Sequence, residues 1–178
     1  MSNIKNRFKE NQNLGTIVAL LILICFVSVL NPAFLQVSNL LNLMRQLIIN
    51  GFVALGMTFV ILTGGIDLSV GSTLALSSAI FAGLLQNGTN TILAIFVAIL
   101  LAIVLGLING LLITKGKLAP FIVTLATMTI FRGLTLVFMD GRPIAGPRDD
   151  FAFQFLGKGQ VFGIPFQVIL FIIVYIIL

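Results

Sequence analysis

The sequence predicts an all-α fold: a polytopic transmembrane helical bundle of about six spans in this chain, the sixth incomplete. Three observations predict it. Hydrophobic residues make up 59% of the 178 residues and charged residues only 8%, whereas soluble domains run closer to half apolar and a quarter charged. The apolar residues are gathered into long runs that carry almost no charge, as bilayer-crossing helices require. Between the runs lie Gly, Asn, Pro and most of the Lys and Arg, which read as turns and as topology signals.

The composition also excludes function classes. With no His, one Cys (Cys25) and one Tyr (Tyr175), the chain has no imidazole or thiolate set for a metal, no internal disulfide and no Ser-His or Cys-His catalytic constellation. No catalytic residues and no metal ligands are therefore expected. The net charge of +5 does not point to nucleic acid, because the ten basic residues are scattered and form no stripe.

Taken in order, residues 1–13 form a cytoplasmic N-terminus carrying Lys5, Arg7 and Lys9. The first span is Leu14 to Leu30, an uncharged run of 17 residues closed by Asn31-Pro32. At about 1.5 Å per residue it reaches roughly 26 Å, close to the thickness of a bilayer core. It ends without a small-x-small cleavage pattern, so it reads as an uncleaved signal anchor. The second span is 40–62, with Leu40, Leu43, Met44, Leu47 and Ile48 at helical spacing and Ser38 or Asn39 as its N-cap. A Gly-rich polar segment, 63–68, separates it from the third span, 69–85. The fourth span is 92–114, and a cytoplasmic loop, 115–119, leads to the fifth, 120–139, which opens on a first-turn Pro120. Residues 140–165 form a long extracytoplasmic loop, and 166–178 begin the sixth span. With the N-terminus in the cytoplasm, Lys115 and Lys117 also fall inside, while Arg45, Arg142, Arg148 and Lys158 fall outside.

Two small-residue ridges predict close helix packing, where packing replaces the hydrophobic drive that lipid does not supply. Gly71, Ala75, Ala79 and Gly83 recur every four residues in the third span, and Ala98, Ala102, Gly106 and Gly110 in the fourth. The polar residues within apolar surroundings are the candidates for function. In Thr63-Gly64-Gly65-Ile66-Asp67-Leu68-Ser69 the glycines permit positive φ, and Asp67 or Ser69 can cap the following helix. The segment reads either as a capped cytoplasmic turn or as a discontinuous helix whose backbone lines a path for substrate. Arg132 lies about 10 Å from the outer end of the fifth span, a depth at which an ionisable group marks function unless it snorkels. Asn50 and Asn109 are weaker cases of the same kind.

Two nucleotide motifs fail. The stretch Gly65 to Ser72 has five residues between its glycines and no Lys after Gly71, so it is not a phosphate loop. The stretch Gly157-x-Gly159-x-x-x-Gly163 is one residue too long for a dinucleotide fingerprint. If transport here is driven by ATP, another chain must hydrolyse it.

Three stretches of the chain, GMTFVILTGGIDLSVG (Gly56 to Gly71), NGLLITKGKLAPFI (Asn109 to Ile122) and TLATMTIFRGLTLV (Thr124 to Val137), closely resemble the permease subunit of bacterial ribose ABC importers. The resemblance covers nearly the whole chain and is weakest in the first dozen residues and after Gly146. It implies a multi-pass subunit of the bacterial cytoplasmic (inner) membrane that pairs with a second permease copy. It further implies a sugar delivered by an extracytoplasmic sugar-binding protein and a cytoplasmic ABC ATPase subunit as the partner that uses ATP, with no cofactor in this chain. Related permeases carry xylose, arabinose or galactose. In the family a cytoplasmic loop that contacts the ATPase lies beyond the last residue of this sequence, so the chain is expected to be the front part of a longer protein.

A neutral sugar needs hydrogen-bonding groups along its path, and Asn50, Thr63, Gly64, Gly65, Asp67, Ser69, Asn109 and Arg132 are the candidates to line or order one. A different class, an ion-coupled carrier or channel, would use Asp67 and Arg132 as charge relays. A third, a purely structural membrane subunit, would need only the small-residue ridges.

Overall fold

The computed structural model describes residues 12–147 and 149–178; Lys5, Arg7, Lys9 and Arg148 lie outside the described residues. The chain divides into two compact units, Met1–Gln46 and Leu47–Leu178.

In the first unit α1 (Gln12–Leu30) leads into a single 3₁₀ turn, Pro32–Leu35, capped by the Asn31 side chain, which accepts from the Ala33 N–H at 3.0 Å. Helix α2 (Val37–Leu62) follows. It starts earlier than the sequence pattern predicts, and neither Ser38 nor Asn39 is its cap. The 3₁₀ turn delivers the chain already wound, with the Leu40 N–H on the Gln36 carbonyl. Asn39 instead donates back to the Phe34 carbonyl at 2.8 Å.

In the second unit α3 (Val70–Gln86) packs against both α4 (Thr91–Thr114) and α5 (Pro120–Phe138). Leu76 of α3, Leu105 of α4 and Phe131 of α5 form the core, with Ile80 and Leu101 against it. Polar residues are buried beside this apolar centre and apolar ones are exposed around it, the distribution expected where the solvent is lipid. The buried face of α5 is Val123, Thr124, Thr127, Phe131 and Thr135. Its three threonines are accommodated because each donates to the carbonyl one turn back, Pro120, Val123 and Phe131. Ile122, Ile130, Leu134 and Val137 face outward. Helices α2, α4 and α5 are long and apolar enough to cross a membrane; Leu14–Leu30, α3 and α7 (Phe166–Ile177) are shorter apolar helices.

The connection after α5 carries secondary structure of its own from Phe151 to Pro165. Asp150 caps α6 (Phe151–Lys158), accepting from the Phe153 N–H at 2.9 Å. A two-stranded antiparallel hairpin follows, β1 (Gln160–Val161) and β2 (Ile164–Pro165), and runs directly into α7. Gln167 donates to the Leu156 carbonyl, and Phe153 packs on Phe81 of α3 with ring centroids 6.1 Å apart. Helix α7 also meets α2 edge-to-face through Phe171 and Phe52, 5.2 Å apart.

Candidate translocation site

Helix α2 ends because Gly64 adopts φ +74°, a conformation that costs side-chain-bearing residues about 1–2 kcal/mol. The Gly65 N–H then reaches the Val60 carbonyl at 3.0 Å and the Gly64 N–H the Ile61 carbonyl at 2.9 Å, the paired bonds of a Schellman motif. The chain runs non-helically from there to Ser69, and Asp67 holds that stretch. Its Oδ1 accepts from the Ser69 N–H at 2.7 Å and from the Ser69 hydroxyl at 2.6 Å. Neither residue caps α3 through its side chain: among the described residues Asp67 bonds only Ser69, Ser69 at the N-cap makes no side-chain cap bond, and α3 begins at Val70.

Two neighbouring helices grip this break. From α4, Asn109 Nδ2 donates to Ser69 Oγ at 2.8 Å. From the first turn of α5, Thr124, almost wholly buried, donates to the Pro120 carbonyl at 2.8 Å and the Ile66 carbonyl at 3.3 Å. Between the break, α4 and the start of α5 lies a cavity of about 330 Å³, within the usual range of small-molecule sites, roughly 300–1,000 Å³.

Of the path candidates, Thr63, Gly64, Gly65, Asp67 and Asn109 line this cavity. Ser69 is fully buried behind it, joined to Asp67 and Asn109. Asn50 on α2 and Arg132 on α5 are exposed and are not among its lining residues. The ridges divide as well. Ala79 and Gly83 are buried, and a Cβ on Gly83 would lie 2.7 Å from the Phe138 ring, so α3 and α5 approach closely there. Gly71 and Ala75 are exposed, while Ala98 and Ala102 border a shallow apolar groove with Ser77 and Phe81. Gly106 and Gly110 have no atom within 4 Å of a built Cβ and form part of the cavity wall. Sequence reasoning passed over Thr114 and Thr124, which also line the cavity. A threonine bonded to its own helix leaves no signal in the sequence.

Asp67 is the one charged side chain among the described residues lining the cavity. On the long connection, the Thr91 hydroxyl donates to Asp150 Oδ2 at 2.5 Å. That bond, aided by the Phe153 and Ala152 N–H groups, holds the Asp150 carboxyl below its ordinary value of 3.8 against an opposing desolvation effect.

No solved structure matches the chain. Among curated proteins it is 61% identical over 167 residues to the ribose import permease protein RbsC of Bacillus subtilis, covering 94% of this chain and 52% of that protein. It is 47% identical over 160 residues to the RbsC protein of Haemophilus influenzae, covering 89% and 50%. The D-allose transport system permease protein AlsC of Escherichia coli is 39% identical over 168 residues, covering 92% and 50%. The chain thus spans about half the length of the curated relatives it matches. Residues 39–178 match the family model described as the branched-chain amino acid transport system / permease component, and the chain belongs to that permease family.

Proposed function

We propose that the chain is part of the membrane-spanning permease subunit of a binding-protein-dependent ABC importer for a monosaccharide, with ribose as the first substrate to test. The observation that carries this reading is the 61% identity to a ribose import permease across 94% of the chain. The cavity supports it, because a neutral, hydroxyl-rich solute needs hydrogen-bonding groups in an otherwise apolar path. In this reading the subunit sits in the bacterial cytoplasmic membrane and pairs with a second copy. It takes sugar from an extracytoplasmic binding protein, and a separate cytoplasmic subunit hydrolyses ATP.

The test is uptake of labelled ribose by cells carrying the intact gene against cells lacking it, with an uncoupler and ATP depletion as separate arms. Gene-dependent uptake that survives the uncoupler and fails on ATP depletion is the expected result. Uptake that collapses with the ion gradient while ATP is preserved would overturn the ATP-driven reading.

A further inference from the structure

We propose that the cavity at the α2–α3 break is a subsite for a neutral polyol, in which Asn109 Oδ1 accepts a hydroxyl of the solute; this rests on the sugar-permease reading above. The argument begins with the direction of the hydrogen bonds. A serine hydroxyl has one proton, and that of Ser69 goes to the Asp67 carboxylate, so toward Asn109 the same oxygen can only accept. The Asn109 amide is thereby oriented: its NH₂ faces Ser69 and its carbonyl oxygen is turned from that network. Asn109 is only 4% exposed, and among the described residues its Oδ1 is buried without a hydrogen-bond partner. Buried polar atoms are nearly always paired.

The rest of the wall is biased the same way. The hydroxyl protons of Thr63, Thr114 and Thr124 are committed to the carbonyls of Val60, Gly110 and Pro120. The N–H groups of Gly64 and Gly65 close the end of α2. Both bonds to Asp67 go to Oδ1, which leaves its other carboxylate oxygen outside the network. The side chains of the wall therefore offer acceptors with their own protons already committed, and suit a solute that donates. Val60, Ile66 and Ile113 supply apolar wall for the C–H face of a sugar ring.

The test uses the full-length permease purified in nanodiscs, with equilibrium binding of D-ribose, each monodeoxyribose and ethanolamine as a small ammonium probe. Gene-dependent ribose uptake by cells is the control for the permease reading. One deoxy analogue is expected to bind about three- to tenfold more weakly than ribose, the worth of one neutral hydrogen bond. Asn109→Leu should weaken ribose by the same factor and show no further loss with that analogue. Ser69→Ala, which keeps Asn109 but frees its amide to turn, should lose part of the discrimination, and it decides the matter if Asn109→Leu does not accumulate. Equal binding of the whole deoxy series, discrimination unchanged in the variants, or ethanolamine displacing ribose at equal concentration would each overturn the proposal while ribose uptake leaves the permease reading standing. Absence of both uptake and binding would overturn the permease reading itself.

Discussion

Gly64 and Asp140 occupy the same structural position at the ends of different helices, and the sequence fills it differently. Each is the left-handed residue of a Schellman cap, at φ +74° and +49°. After α5 the Asp140 N–H reaches the Val137 carbonyl and the Gly141 N–H the Leu136 carbonyl. Glycine adopts this conformation freely; aspartate adopts it at some cost. Gly64→Ala is therefore expected to destabilise the intact permease by about 1 kcal/mol, and Asp140→Gly to stabilise it by roughly 0.5–1 kcal/mol. The check is the thermal unfolding midpoint in detergent, and opposite shifts are the expected signature. A downward shift for both would mean that Asp140 is held by more than its backbone role.

At the scale of elements, small residues and loop contacts separate packing from access. Gly83 sits where α5 lies on α3, with the Phe138 ring in the way of any larger side chain. Gly83→Ala should be mild, because that ring is exposed enough to swing aside, whereas Gly83→Leu must part the helices and lower abundance. Gly106→Leu has space and fills the cavity, so the expected outcome is normal abundance with transport reduced at least tenfold. Immunoblotting beside uptake distinguishes the two. The Thr91–Asp150 bond gives the long connection a pH dependence. A carboxyl held below 3.8 in the folded state stabilises the docked connection fully above its unfolded value of about 3.9, and that contribution fades as pH falls through the lower folded value. Amide exchange in α6 should accelerate below about pH 4, relative to the neighbouring turns. Thr91→Val, which removes the first cause of the depression, should flatten that pH dependence and leave α6 exchanging faster already at neutral pH.

Across the whole molecule, what was legible in the sequence was whatever stood out against an apolar background. Thr63, Gly64, Gly65, Asp67 and Asn109 were conspicuous for being polar or flexible, and they meet at one cavity. Arg132 was equally conspicuous, but depth along a helix says nothing of direction around it. Eight residues beyond Thr124 place it about 80° around α5, and it is exposed. Likewise a GxxxG spacing shows only that space has been left, so Gly106 and Gly110 could not be assigned to a packed helix or to a cavity from spacing alone. The helix in the connection after α5 was hidden for the opposite reason: it is eight residues long, too short for a periodic pattern, and depends on contacts from α3 and α4. The basic residues carry the remaining prediction. If Lys115 and Lys117 face the cytoplasm, α5 carries the chain from the 115–119 turn to the opposite side at Asp140, and the cavity beside that turn opens near the inner surface. With Cys25 replaced by Ala, a cysteine at Lys117 should react with a membrane-impermeant maleimide only after permeabilisation. A cysteine at Phe162, the exposed tip of the hairpin, should react in intact cells. The reverse pattern would invert the topology and place the cavity at the outer mouth, where the solute would meet the Asp67–Asn109 wall on entry.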